Sequence, residues 1–170
     1  MIEGVIVKEL VTHCDERGFF REVARFEDFG IEAKQISLAY RATGIANGWH
    51  IHAMHAELFN VTRGILRLCL KDCRNGNEVD VAYPYDDIEM QPFCFGLSST
   101  PDEYAEIVLG EFVPKTVLVP PGVAHAYKVL SSECDIVYAA TRDYSLSRHD
   151  EGRIEPDRWG SHWYRNTEVR

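Results

Sequence analysis

What most constrains this chain is how short its apolar runs are. GVIVKELV, ILRLCLKD, AEIVLGEFV, KTVLVPPG, HAYKVLSS and DIVYAATRDY are rich in β-branched and aromatic residues and bounded by Gly, Pro, Asp or Ser, as strands are. No segment sustains helical apolar spacing beyond about three turns; the nearest to a short helix is REVARFEDFG. Many short strands with frequent turns predict an all-β sandwich or barrel. With 170 residues, 45% of them hydrophobic, the chain suits one domain over 1–170 with a real core. One stretch breaks the texture. From about Asn75 to Thr100, NGNEVDVAYPYDDIEMQPFCFGLSST is acidic, aromatic and interrupted by proline. It reads as a long excursion from the sheet: a lid, an interface element or a plain insertion.

Charge and cysteine usage exclude several classes. A net charge of -9 without a basic stripe argues against nucleic acid as partner. An anionic small molecule would need a few local Arg or Lys residues to receive it. No run of about 18 apolar residues spans a membrane, and MIEGVIVKELVTH lacks the basic-then-apolar pattern of a secretory signal. Cys14, Cys69, Cys73, Cys94 and Cys134 form no CxxC pair and no zinc-cluster spacing. Reduced thiols in a cytoplasmic protein are the plain expectation.

Chemistry concentrates in GWHIHAMHAELFNVTRG, residues 48–64. In a strand, alternate residues share a face, so Trp49, Ile51 and Ala53 fall on one side and His50 with His52 on the other. Two imidazoles on one face can converge on an ion about 2.0–2.1 Å from each nitrogen. Glu57 opens a second run, ELFNVTRG, expected to fold back beside the first. VPPGVAHAY offers a fourth donor, His125, after a rigid Pro-Gly turn. His55 falls in the turn and is expected to face solvent or to support the ligands from outside. His13, His149 and His162 have no evident partners.

These residues carry a resemblance. Gly44-x5-His50-x-His52-x4-Glu57-x6-Gly64 and Pro120-x-Gly122-x2-His125 resemble the two cupin motifs, with Val129 where the second motif ends in Asn. The resemblance implies a cupin double-stranded β-helix, a jelly-roll barrel. It also implies that His50, His52, Glu57 and His125 hold a divalent transition metal (Fe, Mn, Ni, Co or Zn), with no organic cofactor.

A narrower resemblance covers about residues 2–74 and 104–154. DERGFFRE followed by RFEDF, the stretch Gln35 to His50, LKDCR, VPPGVAHAY and VYAATRDY resemble blocks of the dTDP-4-dehydrorhamnose 3,5-epimerase family, cupins acting on nucleotide-linked 4-keto-6-deoxy sugars. By that resemblance His50 is the base that removes a proton beside the ketone, and Tyr138 returns one from the opposite face. Arg17, Phe20, Glu22 and Gln35 bind the nucleotide and its diphosphate, and the protein is a homodimer with shared sites. Asn47 stands at a substrate-binding position where the family has Arg before Gly-Leu-His, and Glu57 stands where it has an active-site Lys. The family's His-orienting carboxylate has no convincing match in RWGSHWYRNTEVR.

The two resemblances meet at His50, because a metal-bound imidazole cannot also accept a proton. A metal at Glu57 would restore the positive charge lost with the Lys, acting as a Lewis acid on the sugar ketone. The leading expectation is a metal-assisted epimerase or ketoisomerase of this kind. The alternatives are a metal-free version, with His50 as base, and a metal-dependent cupin oxygenase, isomerase or lyase on a non-nucleotide small molecule. A non-catalytic binding cupin is the last.

Overall fold

The computed structural model describes residues 2–74, 103–144, 150–160, 163 and 164. The acidic excursion, together with Cys94, His149 and His162, lies outside them. Among the described residues the chain runs β1 (Ile6–Glu9), β2 (Thr12–Asp15), β3 (Gly18–Arg21), a 3-10 turn (Phe26–Phe29), β4 (Gln35–Ala42), β5 (Ala46–His52), β6 (Glu57–Arg63) and β7 (Ile65–Asp72). It continues through β8 (Tyr104–Gly110), β9 (Lys115–Val119), β10 (Val123–Val129), β11 (Glu133–Ala140) and β12 (Glu151–Arg153). The short helical element expected in REVARFEDFG is this 3-10 turn. Its Phe29 covers the outer face of one sheet against Leu58, Leu118 and Ala139.

Two antiparallel five-stranded sheets face each other, ordered β1-β9-β6-β11-β4 and β12-β5-β10-β7-β8, and β2 with β3 forms a separate hairpin. This is the expected jelly roll. One local expectation fails. β6 does not fold back beside β5; it pairs with β9 and β11 in the opposite sheet. A strand's own residues cannot specify this, since its alternation is the same whichever sheet it joins. The consequence is chemical: Glu57 meets the histidines of β5 across the barrel, not along one sheet.

The chain changes sheets again at Gly64, between β6 and β7. Gly64 has φ 81°, and a Cβ there would lie 2.0 Å from the Glu133 carbonyl oxygen, so no larger residue fits this reversal.

Inside the sandwich, polarity grades along the strands in steps of two. β6 passes inward-facing Val61, Phe59 and Glu57; β10 passes Val129, Tyr127 and His125; β11 passes Ile136, Tyr138 and Ala140. The apolar members join Leu66, Leu68 and Val117 in the main core. Burying each large side chain there contributes about 1.5–3 kcal/mol. β10 is buried along its whole length, because its outer face is also covered. Ala124 and Ala126 pack with Trp49, Ile51, Ile154 and Trp163 in a second core. Trp49 and Ile51 thus take one face of β5, as expected, and His50 and His52 turn to the other.

Candidate active site

The polar ends of these strands enclose two adjacent chambers. The inner, of about 210 Å³, is lined among others by Gln35, Asn47, His50, His52, Glu57, His125 and Tyr138. The outer, of about 320 Å³, shares Gln35, His52 and Glu57 and adds His55, Asp150 and Arg142. Gln35 is oriented by two bonds: it donates to Ser37 Oγ at 3.0 Å and accepts the Tyr144 N–H at 2.7 Å.

Glu57 is the centre of the imidazole end. Its Oε2 lies 3.5 Å from His52 Nε2 and 3.4 Å from His125 Nε2. These three ligand atoms all fall within 4.8 Å of one another. Burial by itself would raise the Glu57 carboxyl and lower His52. The paired charges more than offset this, holding Glu57 well below the ordinary carboxylate range and pushing His52 up to about 9. For His125, burial prevails over the attraction of Glu57 and pushes the imidazole down to about 3.

His55 is not solvent-facing. Its Nδ1 lies 2.7 Å from Asp150 Oδ1, and its Nε2 lies 3.8 Å from Glu57 Oε1. Asp150 also accepts the Met54 N–H at 2.8 Å and stands 3.8 Å from His52 Nδ1. Burial would raise the Asp150 carboxyl, but His52 and His55 hold it well below the ordinary range. Asp150 thus places a carboxylate beside His52 and His55, and Glu151 stands opposite His52 on β12, both outside the terminal segment RWGSHWYRNTEVR. Their only signal in the sequence is an acidic pair ahead of a three-residue strand.

His50 stands outside the His52–Glu57–His125 group. It lies opposite His125 on β10 and opposite Arg153 on β12. Burial lowers its pKa, with Glu151 the largest opposing charge. The expected fourth ligand is therefore the one imidazole of the set that remains apart.

Tyr138 faces the inner chamber from the opposite sheet, its ring 5.0 Å from that of Phe59. Its hydroxyl lies 3.2 Å from the Tyr127 hydroxyl, and burial, then Tyr127, raises its pKa. Tyr127 OH also accepts hydrogen bonds from Arg41 Nε at 2.8 Å and Asn47 Nδ2 at 3.2 Å. Sequence reasoning did not find Tyr127 or Arg41. The first sits in a strand that reads as core, the second near the end of an exposed edge strand.

Arg17, Phe20 and Glu22 do not reach this cavity within one chain. Arg17 caps the β2–β3 hairpin, fully out in solvent and paired with Asp15. Phe20 and Glu22 border a separate surface groove beside Lys8 and Arg25.

The donor set fits a metal. Two imidazole nitrogens and a carboxylate oxygen suit borderline divalent ions. The two spacings from Glu57 Oε2, 3.5 and 3.4 Å, match the edge of a tetrahedron, roughly 3.4 Å, around an ion about 2.1 Å from each ligand. Among the described residues, His52 Nδ1 and His125 Nδ1 are buried without hydrogen-bond partners.

Fold and pocket together define a jelly-roll barrel of the cupin type with a titratable cavity between its sheets. No family model matches the chain. Over 178 aligned residues it is 32% identical to the spore coat polysaccharide biosynthesis protein SpsL of Bacillus subtilis, covering 100% of both chains. The chain belongs to the family of that protein. It is 25% identical to the dTDP-4-dehydrorhamnose 3,5-epimerase of Methanothermobacter thermautotrophicus over 150 residues, 84% of this chain and 70% of that one. Among solved structures, dTDP-6-deoxy-D-glucose-3,5-epimerase from Legionella pneumophila superposes with a TM-score of 0.66 at 24% identity, over 88% of this chain and 72% of that one. The 3'-monoepimerase ChmJ from Streptomyces bikiniensis gives 0.70 at 22%, over 92% and 72%.

Proposed function

We propose that this chain is an epimerase or ketoisomerase acting on a nucleotide-linked 4-keto-6-deoxy sugar. One observation carries the reading: His50 and Tyr138 border the same inner chamber from opposite sheets of the barrel. A sugar ring lying between the sheets would meet a base on one face and a proton donor on the other. Burial keeps His50 neutral to lower pH than an ordinary histidine, the form a base needs. His50 removes the proton beside the ketone; Tyr138 returns one to the opposite face. The activities of these relatives, epimerisation of dTDP-linked sugars, support the substrate class.

His52, Glu57 and His125 would hold a divalent transition metal, which when bound supplies Lewis-acid polarisation of the ketone. His50 lies outside that group, so ligation and proton abstraction fall on different imidazoles.

Exposed apolar surface supports a homodimer. Ile36, Leu38 and Tyr40 on the outer face of edge strand β4 are 64%, 70% and 56% exposed, and Phe19 and Phe20 on the hairpin are also open. A second copy would cover them and carry Arg17, Phe20 and Glu22 toward a neighbouring cavity. A cytoplasmic location agrees with free thiols at Cys14, Cys69, Cys73 and Cys134.

The test is incubation with dTDP-4-keto-6-deoxyglucose in D2O, followed by proton NMR, before and after chelation. Deuterium should enter beside the ketone with inversion. Loss on chelation and recovery with one metal would establish metal assistance; full activity after chelation would remove it. No exchange, with oxygen consumed on a catechol, thiol or diketone instead, would replace the epimerase by a cupin oxygenase.

A further inference from the structure

Tyr127 sits where the core gives way to the cavity, 3% exposed, and its hydroxyl is crowded. Arg41 Nε, Asn47 Nδ2 and the Tyr138 oxygen lie 2.8, 3.2 and 3.2 Å from it. A phenol has two lone pairs and one proton. A guanidinium nitrogen and an amide nitrogen only donate, so Arg41 and Asn47 take the two lone pairs. Tyr138 cannot then donate to that oxygen as a third partner, so the contact between the two hydroxyls is assigned from the Tyr127 proton to the oxygen of Tyr138. The Tyr138 proton is then left free to point into the chamber.

We infer that Tyr127 is a positioning residue for proton delivery: fixed by Arg41 and Asn47, its hydroxyl donates to Tyr138 and leaves the Tyr138 proton aimed at the substrate. This rests on the epimerase reading above. When Tyr138 acts, its O–H bond breaks as the enolate's electron pair forms the new C–H bond. The phenolate left behind keeps the Tyr127 donor, now a charge-assisted bond and so a stronger one, until water returns the proton. Arg41, the one Lys or Arg bordering the inner chamber among the described residues, acts through Tyr127 in this arrangement. Asn47 has its role here too, since its amide holds the far side of the same oxygen.

The test separates the two halves of the reaction by NMR in D2O. Deuterium entering unreacted substrate reports abstraction and return on the His50 face; inversion reports delivery from Tyr138. Tyr127→Phe removes one hydroxyl and keeps the buried ring. It should retain deuterium entry while inversion falls about tenfold to a hundredfold, the usual cost of a misplaced reacting group. Tyr138→Phe is the reference for that split. Asn47→Asp, of nearly the same shape, is the second variant. A carboxylate accepts the Tyr127 proton and withdraws it from Tyr138, so the same split should appear. Equal loss of entry and inversion in Tyr127→Phe, or wild-type rates for both, would overturn the inference. If the wild-type protein itself exchanges nothing, the epimerase reading falls and takes this one with it.

Discussion

The two ends of the inner chamber are built on opposite principles. At the imidazole end, Glu57 and Asp150 hold His52 and His55 by charge beside a neutral His125, with little solvent near any of them. At the phenol end, two neutral hydroxyls are ordered by lone-pair count around one guanidinium and one amide. A buried ion cluster is unforgiving, because removing one partner strands the other's charge in a poor solvent. A buried hydroxyl pair is more tolerant, because deleting one member leaves a neutral group. The same chamber should therefore lose its fold when disturbed at one end and its stereochemical control when disturbed at the other.

The largest effect expected belongs to neither cluster. His50 stands between them, and His50→Ala should lower both deuterium entry and inversion by about a thousandfold, within the range for a general base. Its denaturation midpoint should stay near wild type, since no neighbour depends on its charge. A variant still exchanging at wild-type rate would move the base elsewhere. Glu57→Gln tests the charged end. It leaves His52 facing an amide, and should cost about 3–5 kcal/mol in urea denaturation, as breaking buried pairs does. Tyr138→Phe should cost about 1 kcal/mol, the worth of one neutral hydrogen bond. Similar costs for the two would erase the contrast between the ends.

That contrast was only half legible in the sequence. His50, His52 and Trp49 sorted correctly because a strand's alternation is local, needing no knowledge of partners. Glu57 was found as a residue but misplaced as a neighbour, because the reversal near Ala56 carries β6 to the other sheet. Asp150 was missed because its contact with His55 spans 95 residues, and nothing in a short acidic pair indicates which strand it will meet. Tyr127 was missed for another reason. HAYKVL reads as apolar strand, and only the convergence of Arg41 and Asn47 distinguishes its hydroxyl from a core phenol.

Titration sharpens the comparison next. The folded pKa of His52 is raised from 6.5 to about 9, and that of His125 is lowered from 6.5 to about 3. The His52 contribution is full below about 6.5 and is lost as pH rises through about 9. Buried neutral His125 costs stability as pH falls below about 6.5 toward about 3, where only the unfolded chain takes up its proton. Metal-free protein should therefore be most stable near pH 6.5 and weaken on both sides, as read by denaturation midpoint against pH. In Glu57→Gln the alkaline decline should shrink, since Glu57 is one of the two carboxylates that raise His52. A midpoint flat from pH 6 to 9 would mean that His52 is not protonated in the folded chain. A bound metal must displace that proton, so its affinity should rise about tenfold per pH unit up to about 9.

The smallest effect on stability is expected on the outer face of β4, and there it decides whether the cavity is complete in one chain. Leu38 is 70% exposed, so Leu38→Lys should change folding stability by no more than about 0.5 kcal/mol. Sedimentation should nevertheless shift from dimer to monomer, because a charge would lie in the proposed contact. Mixing then asks what the dimer is for. Arg17→Ala and His50→Ala should each be nearly inactive, one for want of a cation on the hairpin and the other for want of a base. If the hairpin of one copy completes the cavity of the other, refolding the two variants together gives mixed dimers with one intact site. A random mixture should then recover about a quarter of wild-type activity, the fraction set by two-fold symmetry. If Arg17 serves its own chain, every site in the mixture carries one of the two lesions and activity stays at the level of the separate variants.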